Sequence, residues 1–203
     1  MSAFAIRDMA LAMSGLLVER IGGPSVRPYQ PAGIWEDASL GKIGYTPDKG
    51  EGLYRRSLYT FWRRIAAPTM FFDASSRNVC TVKLPRTNTP LQALALMNDV
   101  TYVEAARKLA ERMLTEGGET TDSRLTFAFR IATSRPPTPD ERILLTQALA
   151  SLKAHYEQDS AAANMLITAG DSPRDLNLNA TDLAAYTALA NLILNLDETM
   201  TKE

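Results

Sequence analysis

The stretch Thr89-Pro90-Leu91-Gln92-Ala93-Leu94-Ala95-Leu96-Met97-Asn98-Asp99 decides how this chain folds. Threonine stands where an N-cap belongs, and proline takes the first helical position, where its missing N–H is no loss. Gln92 is placed to reach back to the cap amide. The device predicts a helix over 90–97, a break near Asn98-Asp99 and a second helix over 100–115. Thr138-Pro139-Asp140-Glu141 repeats it and predicts a helix over 139–157, with Leu145, Leu149, Leu152 and Tyr156 on one stripe. Between the two, 122–133 reads as an amphipathic helix through Leu125, Phe127, Phe129 and Ile131, ending before Pro136-Pro137. Further on, 160–169 and 182–197 read as helices, the last through Leu183, Tyr186, Leu189, Ala190, Leu192, Ile193 and Leu196. Sustained period-two alternation is missing, so the expectation is all-α: an irregular helical bundle with a long Pro/Gly-rich N-terminal connection.

Upstream the pattern is different. Residues 3–21 are apolar on most sides and predict a helix stopped by Gly22-Gly23-Pro24. Residues 24–52 carry prolines and glycines without a sustained period, which predicts an irregular arm over the surface, pinned by Trp35. Residues 53–66 fit a helix through Leu58, Phe61, Trp62 and Ile65, with a strand ending near Ser57 as the rival. Residues 67–87 look irregular, with a short strand at Val79–Val82. The chain thus reads as a single domain over 1–203, with an apolar helix and arm in 1–52 and a helical core in 53–203.

At 203 residues, 45% hydrophobic and 22% charged, the composition is that of a folded globular protein. The net charge of −1 argues against wholesale nucleic-acid binding. Charge is nevertheless polarised: residues 51–86 hold seven basic and two acidic side chains, while 87–203 hold ten basic and sixteen acidic. The lone Cys80 excludes an intrachain disulfide and any Cys-x-x-Cys site, and reads as a small buried side chain. The lone His155 excludes paired-histidine chemistry and most zinc sites, and reads as a rim residue. The apolar run Met9–Val18 is ten residues, about half of the ~20 a bilayer crossing needs. Arg7-Asp8 interrupts it as a signal peptide, and no basic head precedes it.

The candidate site residues lie in the basic segment: Arg55, Arg56, Asp73, Arg77, Arg86 and Asn88. Guanidinium forks suit carboxylates, sulfates and phosphates, so these side chains, if convergent, would take an acidic ligand. The competing reading pairs the arginines with carboxylates of the acidic half, such as Glu104, Asp122 or Asp140. Asp73 and Asp99 are a conceivable acid–base pair; the plainer reading has Asp99 capping the helix from 100 and Asp73 in a turn with Ser75 and Ser76. Asp175-Leu-Asn-Leu-Asn-Ala opens like a calcium loop but has Ala180 where the loop needs glycine and Tyr186 where it needs glutamate, so it reads as a polar connection. Glu104 with Lys108 and Arg107 with Glu111 read as pairs on a solvated helix face, each worth ~0.3 kcal/mol.

Several segments together carry a resemblance. They are Ile6-Arg-Asp-Met-Ala-Leu-Ala-Met-Ser-Gly-Leu-Leu, Gly22-Gly-Pro-Ser-Val-Arg-Pro-Tyr-Gln-Pro, Tyr54-Arg-Arg-Ser-Leu-Tyr-Thr-Phe-Trp-Arg-Arg, Phe72-Asp-Ala-Ser-Ser-Arg, Arg86-Thr-Asn-Thr-Pro-Leu-Gln-Ala-Leu and Asn191-Leu-Ile-Leu-Asn-Leu-Asp-Glu-Thr. In this order they resemble the C-terminal domain of unknown function of planctomycete-type multidomain proteins that carry cytochrome c-like modules. The resemblance implies an exported parent, periplasmic or in the cell envelope, with haem only in an upstream module and no cofactor in this chain. This chain begins almost at once with the apolar helix and has neither haem module nor signal peptide, so it reads as the C-terminal part of a longer protein.

Two functions follow as expectations. One is a non-catalytic helical scaffold that docks other domains of the parent, with an exposed apolar face around Leu11, Leu16 and Leu17. The other is a ligand-binding or enzymatic domain for an acidic or sulfated polysaccharide-type substrate, its pocket lined by the six candidate residues.

Overall fold

The computed structural model describes residues 1–42, 44–61, 80, 82 and 89–201. Among them are nine α-helices: α1 (Ala3–Ser14), α2 (Ile34–Ser39), α3 (Pro90–Asn98), α4 (Val100–Thr115), α5 (Thr121–Thr133), α6 (Pro139–Gln158), α7 (Ser160–Ile167), α8 (Ala180–Leu194) and α9 (Asp197–Met200). Two 3-10 turns, Gly50–Tyr54 and Ser57–Tyr59, complete the regular structure. The all-α expectation holds.

Both threonine–proline starts behave as the local chemistry dictates. The Thr89 hydroxyl accepts from the Gln92 amide while the Gln92 side chain accepts from the Thr89 amide, and Thr138 and Glu141 reciprocate in the same way. The break before α4 is Asp99, whose carboxylate accepts the Thr101 amide at 2.9 Å. That is the capping role the plainer reading gave it.

The core is built around α4 and α8, which pack on each other and gather α1, α3, α5, α6 and α7 about them. Leu109, Met113 and the alanines 105, 106 and 110 of α4 meet Leu183, Tyr186, Leu189 and Ile193 of α8, all fully buried. Small residues on α4 let the two backbones approach closely. Each large aliphatic side chain buried here contributes about 1.5–3 kcal/mol. Asn191 of α8 donates to the Met97 carbonyl at 3.1 Å, tying α3 to the same core.

The N-terminal quarter departs from expectation. α1 ends at Ser14, because Gly15 adopts φ +78° and caps it in the left-handed conformation, seven residues before Gly22. Residues 53–61 are two 3-10 turns joined by extended backbone rather than a helix. Val18 pairs with Arg55 and Val26 with Thr60 as isolated parallel bridges, so the strand rival is closer for this part. The remainder of the 53–66 prediction, and most of 67–87 with its strand, lie outside the described residues.

The described residues of 16–61 therefore form an arm laid over α1 and one face of α4. Trp35 pins it as expected: it is buried, stacked between Tyr45 at 5.1 Å and Phe61 at 5.7 Å, and its indole N–H donates to Gln30. Leu11, which the sequence reading placed on an exposed apolar face, is fully buried. Leu16 and Leu17 are half-covered with it by Leu53, Tyr54 and Tyr29. The arm itself supplies the cover that the lone apolar helix lacked.

Candidate functional site

Where the arm crosses α4, three charged side chains of one helix face are out of water. Glu104 and Arg107 are each 1% exposed and Glu111 is buried beside them. On a helix, positions 104, 107 and 111 share a face. The sequence reading made this face solvated; in the structure the arm and the 170–172 turn cover it.

Glu104 Oε1 accepts from the Tyr54 hydroxyl at 2.9 Å and from the Ser172 amide at 2.6 Å, with Arg107 Nη2 at 3.7 Å. Arg107 donates through Nη1 to Glu111 Oε1 at 2.8 Å and through Nη2 to the Ser172 carbonyl and hydroxyl, both at 2.7 Å. Lys108 neutralises the other Glu111 oxygen from the rim. Two carboxylates and two cations thus balance, and buried charges in balance with hydrogen bonds are the form that burial tolerates. The expected Glu104–Lys108 pair is replaced by this arrangement.

Two phenols close the network. The Tyr29 hydroxyl accepts the Asp171 amide at 2.7 Å, and burial, followed by the Glu104 charge, pushes the Tyr29 phenol up to about 12. Burial and the hydrogen bond to Glu104 raise the Tyr54 phenol further. Both stay protonated, as donors to a carboxylate must. The 170–172 turn can approach because residue 170 is glycine at φ +87°; a Cβ there would sit 2.1 Å from Glu104 Cδ.

A second polar knot fastens the arm to α1. Arg7, buried, donates to the carbonyls of Arg55 at 2.9 Å and Leu53 at 2.6 Å and to the Ser57 hydroxyl at 3.1 Å. Its neighbour Asp8 accepts the Ser57 amide at 2.7 Å. Burial lowers the Arg7 pKa, and the nearby Asp8 charge opposes that shift.

Of the six sequence candidates, the structure places two. Arg55 is fully buried: Nη1 donates to the Pro24 carbonyl at 2.9 Å, Nη2 to the carbonyls of Arg20 at 2.9 Å and of Gly22, and the guanidinium lies 3.8 Å over the Tyr59 ring. Arg56 is exposed, with Nε 3.8 Å from Asp8 Oδ2. Asp73, Arg77, Arg86 and Asn88 lie outside the described residues. The pairing with the acidic half takes another form at these two positions. Carbonyls answer Arg55, Asp8 answers Arg56, and Asp122 meets Arg142 at 3.2 Å. Cys80 is exposed rather than buried, and His155 sits exposed, edge-on to Tyr156. Asp175 accepts from Asn177 within its own turn, as a polar connection should. Among the described residues, no group of three or more His, Cys, Asp or Glu side chains could hold a metal ion. No described helix is long and apolar enough to cross a membrane.

Chemically, the network holds charge still. Glu104 is presented with donors only and organises backbone and phenol around it. Sequence reasoning missed Glu104, Arg107, Tyr29, Tyr54 and Gly170–Ser172. The available signal was indirect: a long arm rich in tyrosine and arginine must lie on something able to satisfy its carbonyls and hydroxyls.

A second surface is exposed and apolar. On α3, Leu91 is 56% exposed, Leu94 59% and Met97 42%, at the three-residue spacing that aligns them along one face. Val100 and Leu192 are also exposed, at about two-fifths each. The buried side of α3 is carried by Gln92 and Leu96, so the helix turns apolar side chains outward.

Residues 1–149 match a family described as "Protein of unknown function (DUF1553)". The match takes in α1, the arm and the helices through the first half of α6. No curated protein and no solved structure matches the chain.

Proposed function

We propose that this chain, which belongs to the DUF1553 family of proteins of unknown function, is a non-catalytic helical docking module. It holds together neighbouring domains of a larger, exported, cytochrome c-associated protein of the cell envelope. The observation that supports this reading is the outward apolar stripe Leu91–Leu94–Met97 on α3. Exposed apolar residues scattered singly are ordinary, whereas aligned ones on a short helix mark a surface used for contact. The docking face is thus on α3 and not, as the sequence suggested, around Leu11, Leu16 and Leu17.

The charge-balanced Glu104–Arg107–Glu111 set fits the same role, since it braces α4, the helix that follows α3. Covering three side chains of this size would remove them from water at about 25 cal/mol per Å². That is enough to bias the arrangement of tethered neighbours without requiring tight binding in isolation.

Hydroxyl-radical footprinting tests the proposal. Oxidation of Met97, Leu91 and Leu94 is compared between the isolated chain and the intact parent protein carrying its upstream domains. The docking role predicts at least a several-fold slower modification of these three residues in the parent, with Leu144 and Met165 unchanged as exposed controls. Equal rates at α3 in both would overturn it.

A further inference from the structure

The arm and the helical core do not share an apolar interior. Among the described residues, none of 16–61 belongs to the main core built on α4 and α8. The arm's own cluster is small: Leu53, Tyr54 and Tyr29 with Leu11, Leu16, Leu17 and Val18. Within the arm, cross-links run Val18 N–H to the Tyr54 carbonyl at 3.0 Å, Val26 N–H to Tyr59 at 2.9 Å, Phe61 N–H to Val26 at 2.7 Å and Asp48 N–H to Arg27 at 2.9 Å. Leu11 of α1 aside, what joins arm to core is polar. Tyr54 donates to Glu104, Tyr29 accepts the Asp171 amide, the Asp171 carboxylate accepts the Gly50 amide at 2.9 Å, and Arg7 and Asp8 grip residues 53–57.

Cooperative units that bury little apolar surface against the rest of a protein open at lower free energy than the whole. We infer that residues 16–61 are a strap that opens as a unit while α4 and α8 stay folded, and that the Tyr54–Glu104 bond on α4 is its latch. Opening bares the apolar side of α1 at Leu11, with Leu16 and Leu17 beyond it, together with the charged face of α4. The strap thereby makes the exposure of that surface conditional. This inference is independent of the α3 docking reading, since it concerns the face of α4 under the arm rather than the outward stripe of α3, and a different readout.

The test is native-state hydrogen exchange on the full chain over a denaturant series, with two variants. Tyr54→Phe removes the latch donor and leaves α4 intact; losing a hydrogen bond to a charged partner predicts roughly tenfold lower protection of the Val18, Val26, Asp48 and Phe61 amides. Ile193→Val weakens only α8, so α8 amides should lose protection several-fold while the four strap amides stay within about twofold of wild type. In wild type the strap amides should exchange together, faster than those of α8. Strap amides that fall with α8 in Ile193→Val would show that they open only by global unfolding, and the inference would be wrong. Unchanged strap protection in Tyr54→Phe would equally remove the latch.

Discussion

Replacing Gly170 by alanine should be among the most damaging small changes in the protein, and the structure says why. The backbone at 170 has φ +87°, a region where an L side chain costs about 1–2 kcal/mol. The added Cβ would also lie 2.1 Å from Glu104 Cδ and 2.4 Å from Oε1, well inside contact distance. Glu104 is the residue that must yield, and it is 1% exposed, held by the Tyr54 hydroxyl and the Ser172 amide. Displacing it weakens two hydrogen bonds to a charged group, each worth about 1.5–3 kcal/mol. Together the terms predict a loss of at least about 3 kcal/mol for Gly170→Ala, measured by urea unfolding followed by circular dichroism. The same substitution in a Glu104→Ala background meets no carboxylate and should cost only the backbone term of about 1–2 kcal/mol. The double-mutant cycle therefore predicts a coupling of at least about 1 kcal/mol between residues 104 and 170. Additive costs, or a Gly170→Ala penalty below about 1 kcal/mol, would refute the reasoning that a buried carboxylate fixes the 170–172 turn.

Two further predictions rest on other sites. The Tyr186 hydroxyl is fully buried on α8 and makes no hydrogen bond to the described residues, so Tyr186→Phe should leave stability unchanged or raise it by about 1 kcal/mol in thermal melts. A drop of that size would mean the hydroxyl has a partner. Arg135, with help from the Thr138 amide, holds the Glu141 carboxyl down at about 2. A carboxyl depressed by folding contributes stability that is complete above its unfolded value of about 4.3 and is lost as pH falls towards its folded one. The difference in Tm between wild type and Glu141→Gln should then be constant above about pH 5 and shrink towards zero near pH 2. A difference independent of pH would sink this assignment.

What could be read from the sequence was what is settled locally. Thr89 and Thr138 each announce a helix within four residues, and α3 through α8 begin close to where the caps and stripes put them. α1 was read too long because Gly15 sits among apolar residues that continue the helical pattern, and only the chain's turn towards the arm shows that the cap is used there. Glu104, Arg107 and Glu111 have the spacing of any solvated helix face. Whether such a face meets water or an arm depends on residues fifty or more positions away, such as Tyr54 and Ser172. The basic candidates raised the same difficulty. Nothing next to Arg55 in the chain announces the three carbonyls that surround it, and Arg56, its neighbour, faces solvent.

The grip of Arg55 on the 20–24 turn has one more implication. A loop normally encodes its own bend through glycine and proline, yet here the mould is a flat side chain 31 to 35 residues further along. Lysine, with a single point charge and no plane to rest on the Tyr59 ring, could not serve as that mould. Lengthening the bend by even one residue would bring the wrong oxygens to the fork, so template and casting can be altered only in concert.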